Sequence, residues 1–101
     1  MINRTKIAQE FARAIKTEDV KKIILFGSVA RGEDDSNSDI DILIISNHGR
    51  KIEPLIAEEV VKIILDKGEL ISAHVMSEKH FNQTKNYSFL TNVLKDGVVL
   101  V

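Results

Sequence analysis

The sequence predicts a mixed α/β (α+β) domain, a small mixed sheet with helices packed against it, on three observations. Two apolar runs, Lys22-Ile23-Ile24-Leu25-Phe26 and Ile42-Leu43-Ile44-Ile45, have the length of buried strands. Segments with a 3.6-residue apolar period lie before, between and after them, and Gly, Ser and acidic residues punctuate the joins. Alternating helices and strands bury their apolar faces by layering helices on a sheet. A chain of 101 residues is the size of one core, so a single domain over residues 1–101 is expected.

In the first segment Ile7, Phe11 and Ile15 share one face with Ala8 and Ala14 beside it. Arg4, Lys6, Glu10, Arg13 and Lys16 fall elsewhere, which predicts a helix from Asn3 to Lys16. Lys22 to Phe26 reads as a strand buried on both faces and stopped by a Gly27-Ser28 turn. Ser28 to Arg31 has room for about one helical turn, ended by Gly32. Glu33 to Ser38 has the composition of a solvated loop, with Ser38 as its cap. Asp39 to Ile45 is a strand, polar at its entry and apolar beyond. From Lys51 to Lys67, Ile52, Ile56, Val60, Ile63 and Ile64 form one stripe, with Pro54 in the first turn and Gly68 just past the end. Glu69 to Met76 predicts a third strand, interrupted by Ser72 and His74. Ser77 caps a short helix. Tyr87, Leu90, Val93 and Leu94 form a last stripe, read as core packing and closed by Gly97, and Val98 to Val101 form a terminal strand.

Composition excludes more than it names. Lys and Arg number 14 against 15 Asp and Glu, so no long-range positive field draws nucleic acid to the protein. The absence of Cys excludes a disulfide framework, a thiolate zinc site and a cysteine nucleophile. No apolar run approaches the roughly 20 residues of a membrane helix, and the N-terminus lacks a signal-type apolar block. A cytoplasmic protein with no membrane role is the expectation.

Chemistry concentrates between residues 27 and 41, where a Gly27-Ser28 turn precedes an Asp39-Ile40-Asp41 pair by ten residues. Residues two apart on a strand point to the same face, so both carboxylates converge near the strand entry. Two adjacent carboxylates repel, and such a pair persists where a cation neutralises it. Hard oxygen ligands favour Mg²⁺ or Mn²⁺ over zinc. Gly27 lets backbone approach a phosphate, and Ser28 adds a hydroxyl and an N–H at the start of a helical turn. Arg31 pairs either with a phosphate or with the acids of the following loop. His48 and His80 sit in polar surroundings and read as surface residues.

This segment resembles the signature of the DNA polymerase beta-like nucleotidyltransferase superfamily, and its Ala30-Arg31-Gly32 and Ser38 resemble the minimal prokaryotic members. The resemblance implies a nucleotidyltransferase-like core in which Gly27 and Ser28 hold a nucleoside triphosphate while Asp39 and Asp41 bind one or two Mg²⁺ (or Mn²⁺) ions. A nucleoside monophosphate, AMP from ATP in the leading reading, would pass to a protein or nucleic-acid acceptor as pyrophosphate leaves. Minimal members resemble antitoxins paired with a helical HEPN-type toxin. So short a chain leaves the acceptor site to be completed by such a partner or by a second copy.

The pattern departs at one point. The family's third carboxylate comes from the strand after the long helix, and here no Asp stands mid-strand. Glu69 at its start and His74 within it are the candidates. The alternative reading is a catalytically weak nucleotide-binding module that neutralises a partner by contact.

Overall fold

The computed structural model describes residues 2–101. In chain order these form α1 (Arg4–Ile15), β1 (Lys22–Phe26), α2 (Gly27–Arg31), β2 (Ile40–Ile45), α3 (Gly49–Lys67), β3 (Ile71–Met76), α4 (Glu78–Thr84), α5 (Ser88–Asp96) and β4 (Val98–Val99). The strands make one mixed sheet in the order β3-β2-β1-β4. β1 runs antiparallel to both β2 and β4, and only the short α2 and a loop separate it from β2. β2 and β3 are parallel, and α3 is the long crossover such a pair requires.

The period of two along each strand sorts the core into two layers. Ile23, Leu25, Ile40, Ile42, Ile44 and Ile71 face α1 and α3, against Phe11, Ile15, Ile52 and Ile56. Ile24, Phe26, Leu43 and Ile45 face α5 through Leu90 and Val93, with Met76 and Phe81 at the margin. A sheet covered on both sides must be apolar on both, which is why β1 and β2 read as continuous apolar runs. Each buried Ile or Leu contributes roughly 1.5–3 kcal/mol by leaving water.

Several boundaries and burials differ from the sequence reading. Asp39 lies just outside β2, and Glu69 lies outside β3, which starts at Ile71. Helix α3 begins at Gly49, so Pro54 lies inside it rather than in its first turn. The carbonyl of His48 accepts from Lys51 N (3.0 Å) and Ile52 N (3.3 Å), which starts the helix ahead of the proline. Pro54 lacks only the N–H that would have met the Arg50 carbonyl near the solvent-facing start. On α1 it is Ala12 that is buried, and Ala14 is exposed. On α3 Ile64 is exposed.

Tyr87 is not core: it is the residue before α5 and is 66% exposed. Its N–H donates to Thr84 O and its carbonyl accepts from Thr91 N, both at 2.9 Å, so it serves the helix start with its backbone. Leu94 is also exposed, leaving Leu90 and Val93 as the buried stripe. β4 is shorter than the predicted terminal strand, although Leu100 N and Val101 O still bond to Ile23. Gly68 at φ +67° closes α3, and Ser77 caps α4 by accepting from His80 N.

Candidate active site

The end of β1 and the entry of β2 meet side by side, with Phe26 opposite Asp41 in register. One residue past Phe26 the chain turns at Gly27, whose φ is +76°, a conformation open to glycine at little cost. A Cβ on Gly27 would collide with the Asp41 carboxylate, lying 3.2 Å from its Cγ. The missing side chain therefore allows backbone and carboxylate to touch. Ser28 follows at the start of α2, half-buried, where the first N–H groups of a helix have no partner within it.

Asp41 follows the parity of Leu43 and Ile45, so it lies, half-buried, on the α5 side of the sheet. Partial burial holds its carboxyl above the ordinary carboxylate range. Charge on His74 pulls it down, the neighbouring Asp39 pushes it up and Arg31 pulls it down. Asp39 is exposed, yet close enough for its charge to be felt. Among the described residues, neither acid forms an ion pair, whereas the nearby Glu33, Asp34 and Glu69 each do. Arg31 turns to the loop, its Nε donating to Glu33 Oε1 at 2.6 Å.

The two candidates for a third site residue fall on opposite faces. Glu69 is 6% exposed and accepts from Arg4 Nε at 3.0 Å, on the side packed by α1. Its carboxylate is held away from Asp41. His74 is exposed and stands on the same face as Asp41, because β2 and β3 pair Asp41 with Ser72 and Leu43 with His74. Its Nε2 lies 3.4 Å from Ser72 Oγ.

Three features escaped the sequence reading. Arg4 bridges Glu69, Asp34 Oδ2 (2.8 Å) and the carbonyl of Asp35 (2.8 Å), tying the loop that delivers Asp39 to α1. Asp34 is thus anchored rather than freely solvated. Phe26, His74 and Phe89 form an aromatic trio with centroids 5.6–6.0 Å apart. A cleft of about 230 Å³ opens between α2 and α5, lined by Phe26, Gly27, Arg31, Phe89, Asn92 and Val93. No local pattern in the sequence marks a Phe on α5 as the neighbour of a Gly turn sixty residues earlier; the fold alone joins them. Ser38 does cap its loop, its Oγ accepting from Asp35 N at 2.9 Å, and His48 and His80 are exposed.

A glycine bend against one of two adjacent carboxylates, on a mixed sheet of this order, defines a nucleotidyltransferase fold. The nucleotidyltransferase-domain family matches residues 5–98, and the chain belongs to that family; it is a nucleotidyltransferase enzyme. A relative from Methanocaldococcus jannaschii that carries the name of a protein adenylyltransferase is 43% identical over 102 residues, covering 98% of this chain and 99% of its own. A second protein of that organism under the same name is 30% identical, covering 92% of this chain and 94% of its own. Among solved structures, a toxin–antitoxin assembly with AMP-PNP is similar at a TM-score of 0.62 and 22% identity, spanning 99% of this chain and 73% of that one. A nucleotidyltransferase from Sulfolobus solfataricus is similar at 0.58 and 21% identity, spanning 93% and 76%. These structures share the fold.

Proposed function

We propose that the protein transfers AMP from ATP to a protein acceptor, with Gly27 and Ser28 against the triphosphate and Asp39 and Asp41 holding Mg²⁺. The observation that carries this reading is the contact between Gly27 and Asp41, which sets a glycine turn against a carboxylate that has no ion pair of its own among the described residues. Among the described residues no three His, Cys, Asp or Glu side chains gather, so the chain would supply two carboxylates. Mg²⁺ suits that set, since it is commonly bound through one or two carboxylates plus phosphates and water. Bound there, it would neutralise the phosphates and stabilise charge on the attacking and leaving oxygens.

The residues of the chain have separate tasks. Gly27 and Ser28 orient the triphosphate through N–H groups and a hydroxyl. Arg31 exchanges Glu33 for a phosphate oxygen, a swap between exposed partners that costs little. The acceptor oxygen forms a bond to the α-phosphorus as the bond from that phosphorus to the bridging oxygen breaks. Pyrophosphate leaves with that electron pair. The acceptor's proton passes to His74, an imidazole on the Asp41 face where a carboxylate would otherwise stand. The names of the two relatives favour a protein acceptor and ATP as donor. The near-neutral charge of the chain agrees. The toxin–antitoxin neighbours favour a toxin partner as that acceptor, and a helical HEPN-type protein is the partner proposed.

The experiment is incubation with Mg²⁺, α-labelled ATP and the product of the adjacent gene. Label on the partner that disappears with Asp41→Asn supports transfer. Nucleotide binding without transfer supports the contact-only module, which the lack of a third carboxylate on β3 favours.

A further inference from the structure

The cleft between α2 and α5 shares Gly27 and Arg31 with the proposed phosphate site, but its α5 wall has a chemistry that the phosphates and the metal pair do not use. One wall is Gly27, where the triphosphate is placed above, and the far wall is Phe89 and Asn92 on α5. Phe89 is 48% exposed, an expensive place for a phenyl ring unless something covers it. The ring is held by its neighbours: Phe26 meets it at 89° with centroids 5.6 Å apart, and His74 stands 6.0 Å away at 57°. Such packing fixes the orientation of an aromatic face beside open space. Asn92 is exposed, and its amide has no hydrogen-bond partner among the described residues.

We infer that this cleft receives the nucleobase, with Phe89 stacking on the purine and the Asn92 amide reading its edge. Size agrees: about 230 Å³ is below the roughly 300–1,000 Å³ of pockets that enclose a whole small ligand, so it suits one planar base whose phosphates lie outside. Direction agrees too, since the cleft runs from Gly27 toward α5 and a nucleotide laid in it leads from phosphates to base. Asn92 further selects among bases. A carboxamide offers one acceptor and two donors, which pairs in two places with adenine N6–H and N7. Guanine presents two acceptors along that edge, O6 and N7, so the amide oxygen would face an oxygen. The ligand class is therefore an adenosine nucleotide, and the selection resides on α5, outside the Gly-Ser and Asp-x-Asp segment. This inference rests on the proposed position of the triphosphate at Gly27.

The test compares calorimetric binding of Mg²⁺ complexes of ATP, GTP and inorganic tripolyphosphate to the full chain and to Phe89→Ala, Phe89→Leu and Asn92→Ala. Phe89→Leu keeps apolar bulk while removing the aromatic face, so it guards against misfolding. Expected are an ATP affinity reduced about tenfold or more in both Phe89 variants, tripolyphosphate affinity unchanged, and the preference for ATP over GTP shrinking toward unity in Asn92→Ala. Equal losses for ATP and tripolyphosphate, or undiminished ATP binding in Phe89→Leu, would overturn the base subsite. Absent tripolyphosphate binding in the unaltered chain, with ATP binding still dependent on Phe89, would keep the base subsite and remove the Gly27 phosphate reading instead.

Discussion

Two acidic clusters lie near the entry of the parallel strands, and the chain treats them in opposite ways. Glu69 and Asp34 share the Arg4 guanidinium, at 3.0 and 2.8 Å, and Glu69 is nearly buried. Asp39 and Asp41 share no cation among the described residues, and Asp41 is left above the ordinary carboxylate range by its partial burial. A buried charge persists when paired, so the first cluster is complete within the fold. The second has no ion pair of its own among the described residues, and under the proposed function a divalent cation would complete it. The contrast separates acids that hold the architecture from acids the fold leaves unpaired, although sequence alone presents Glu69 as a site candidate alongside Asp39 and Asp41.

The largest effect should come from breaking the second cluster. Asp41→Asn or Asp39→Asn should lower label transfer by about a hundredfold or more, as expected when several kcal/mol of metal-derived stabilisation is lost. Glu69→Gln, in a chain that remains folded, should leave transfer within a few-fold of the original. A Glu69→Gln protein that is folded and inactive would move Glu69 into the site and dissolve the distinction.

The first cluster is broken by Arg4→Met, which leaves Glu69 without its partner. The cost should be about 2–3 kcal/mol in urea unfolding, below the 3–5 kcal/mol of a fully buried pair because Arg4 reaches the surface. Adding Glu69→Gln should recover part of it. Two independent losses that simply add would show that the side chains do not act on each other.

Legibility in the sequence divides along the same line. β1 and the C-terminal end of α3 were readable because their signals are local: an apolar run ended by Gly27, an apolar stripe ended by Gly68. The meeting of Gly27 with Asp41 was readable because the spacing of the turn and the acidic pair is itself the signal. Arg4 with Glu69 was not, since the partners stand 65 positions apart and no local pattern joins them. Phe89 facing Gly27 was hidden for the same reason. Tyr87 misled because the apolar period runs through a residue that precedes its helix. The antiparallel return of β1 onto β2 belongs to topology, which periodicity does not encode.

A smaller effect sharpens the contact between turn and acid. Gly27→Ala meets both a left-handed φ and the Asp41 carboxylate, so about 1–3 kcal/mol of strain is expected. Part of that strain should relax by displacing Asp41. The variant should therefore lose nucleotide affinity beyond its loss of stability, measured by calorimetry below its melting temperature. Pairing Gly27→Ala with Asp41→Ala removes the clash but not the φ, and it should unfold less readily than Gly27→Ala alone.

The smallest effect has a sign that tests the whole contrast. Asp41 titrates higher in the folded chain than in the unfolded one, because burial disfavours its charge. The folded state is then best favoured below the unfolded carboxylate pKa, near 3.9. That advantage fades as pH rises through the folded value, and at neutral pH the ionised Asp41 is a net cost. Asparagine carries no charge to bury. In metal-free buffer, Asp41→Asn should therefore melt slightly above the original chain at pH 7, with the gap closing as the pH falls to the unfolded value. Mg²⁺ with ATP should reverse the order, since only the carboxylate gains from the cation and binding to the folded state raises its melting point. If Asp41→Asn melts lower than the original at pH 7 without metal, Asp41 has an internal partner and belongs with Glu69.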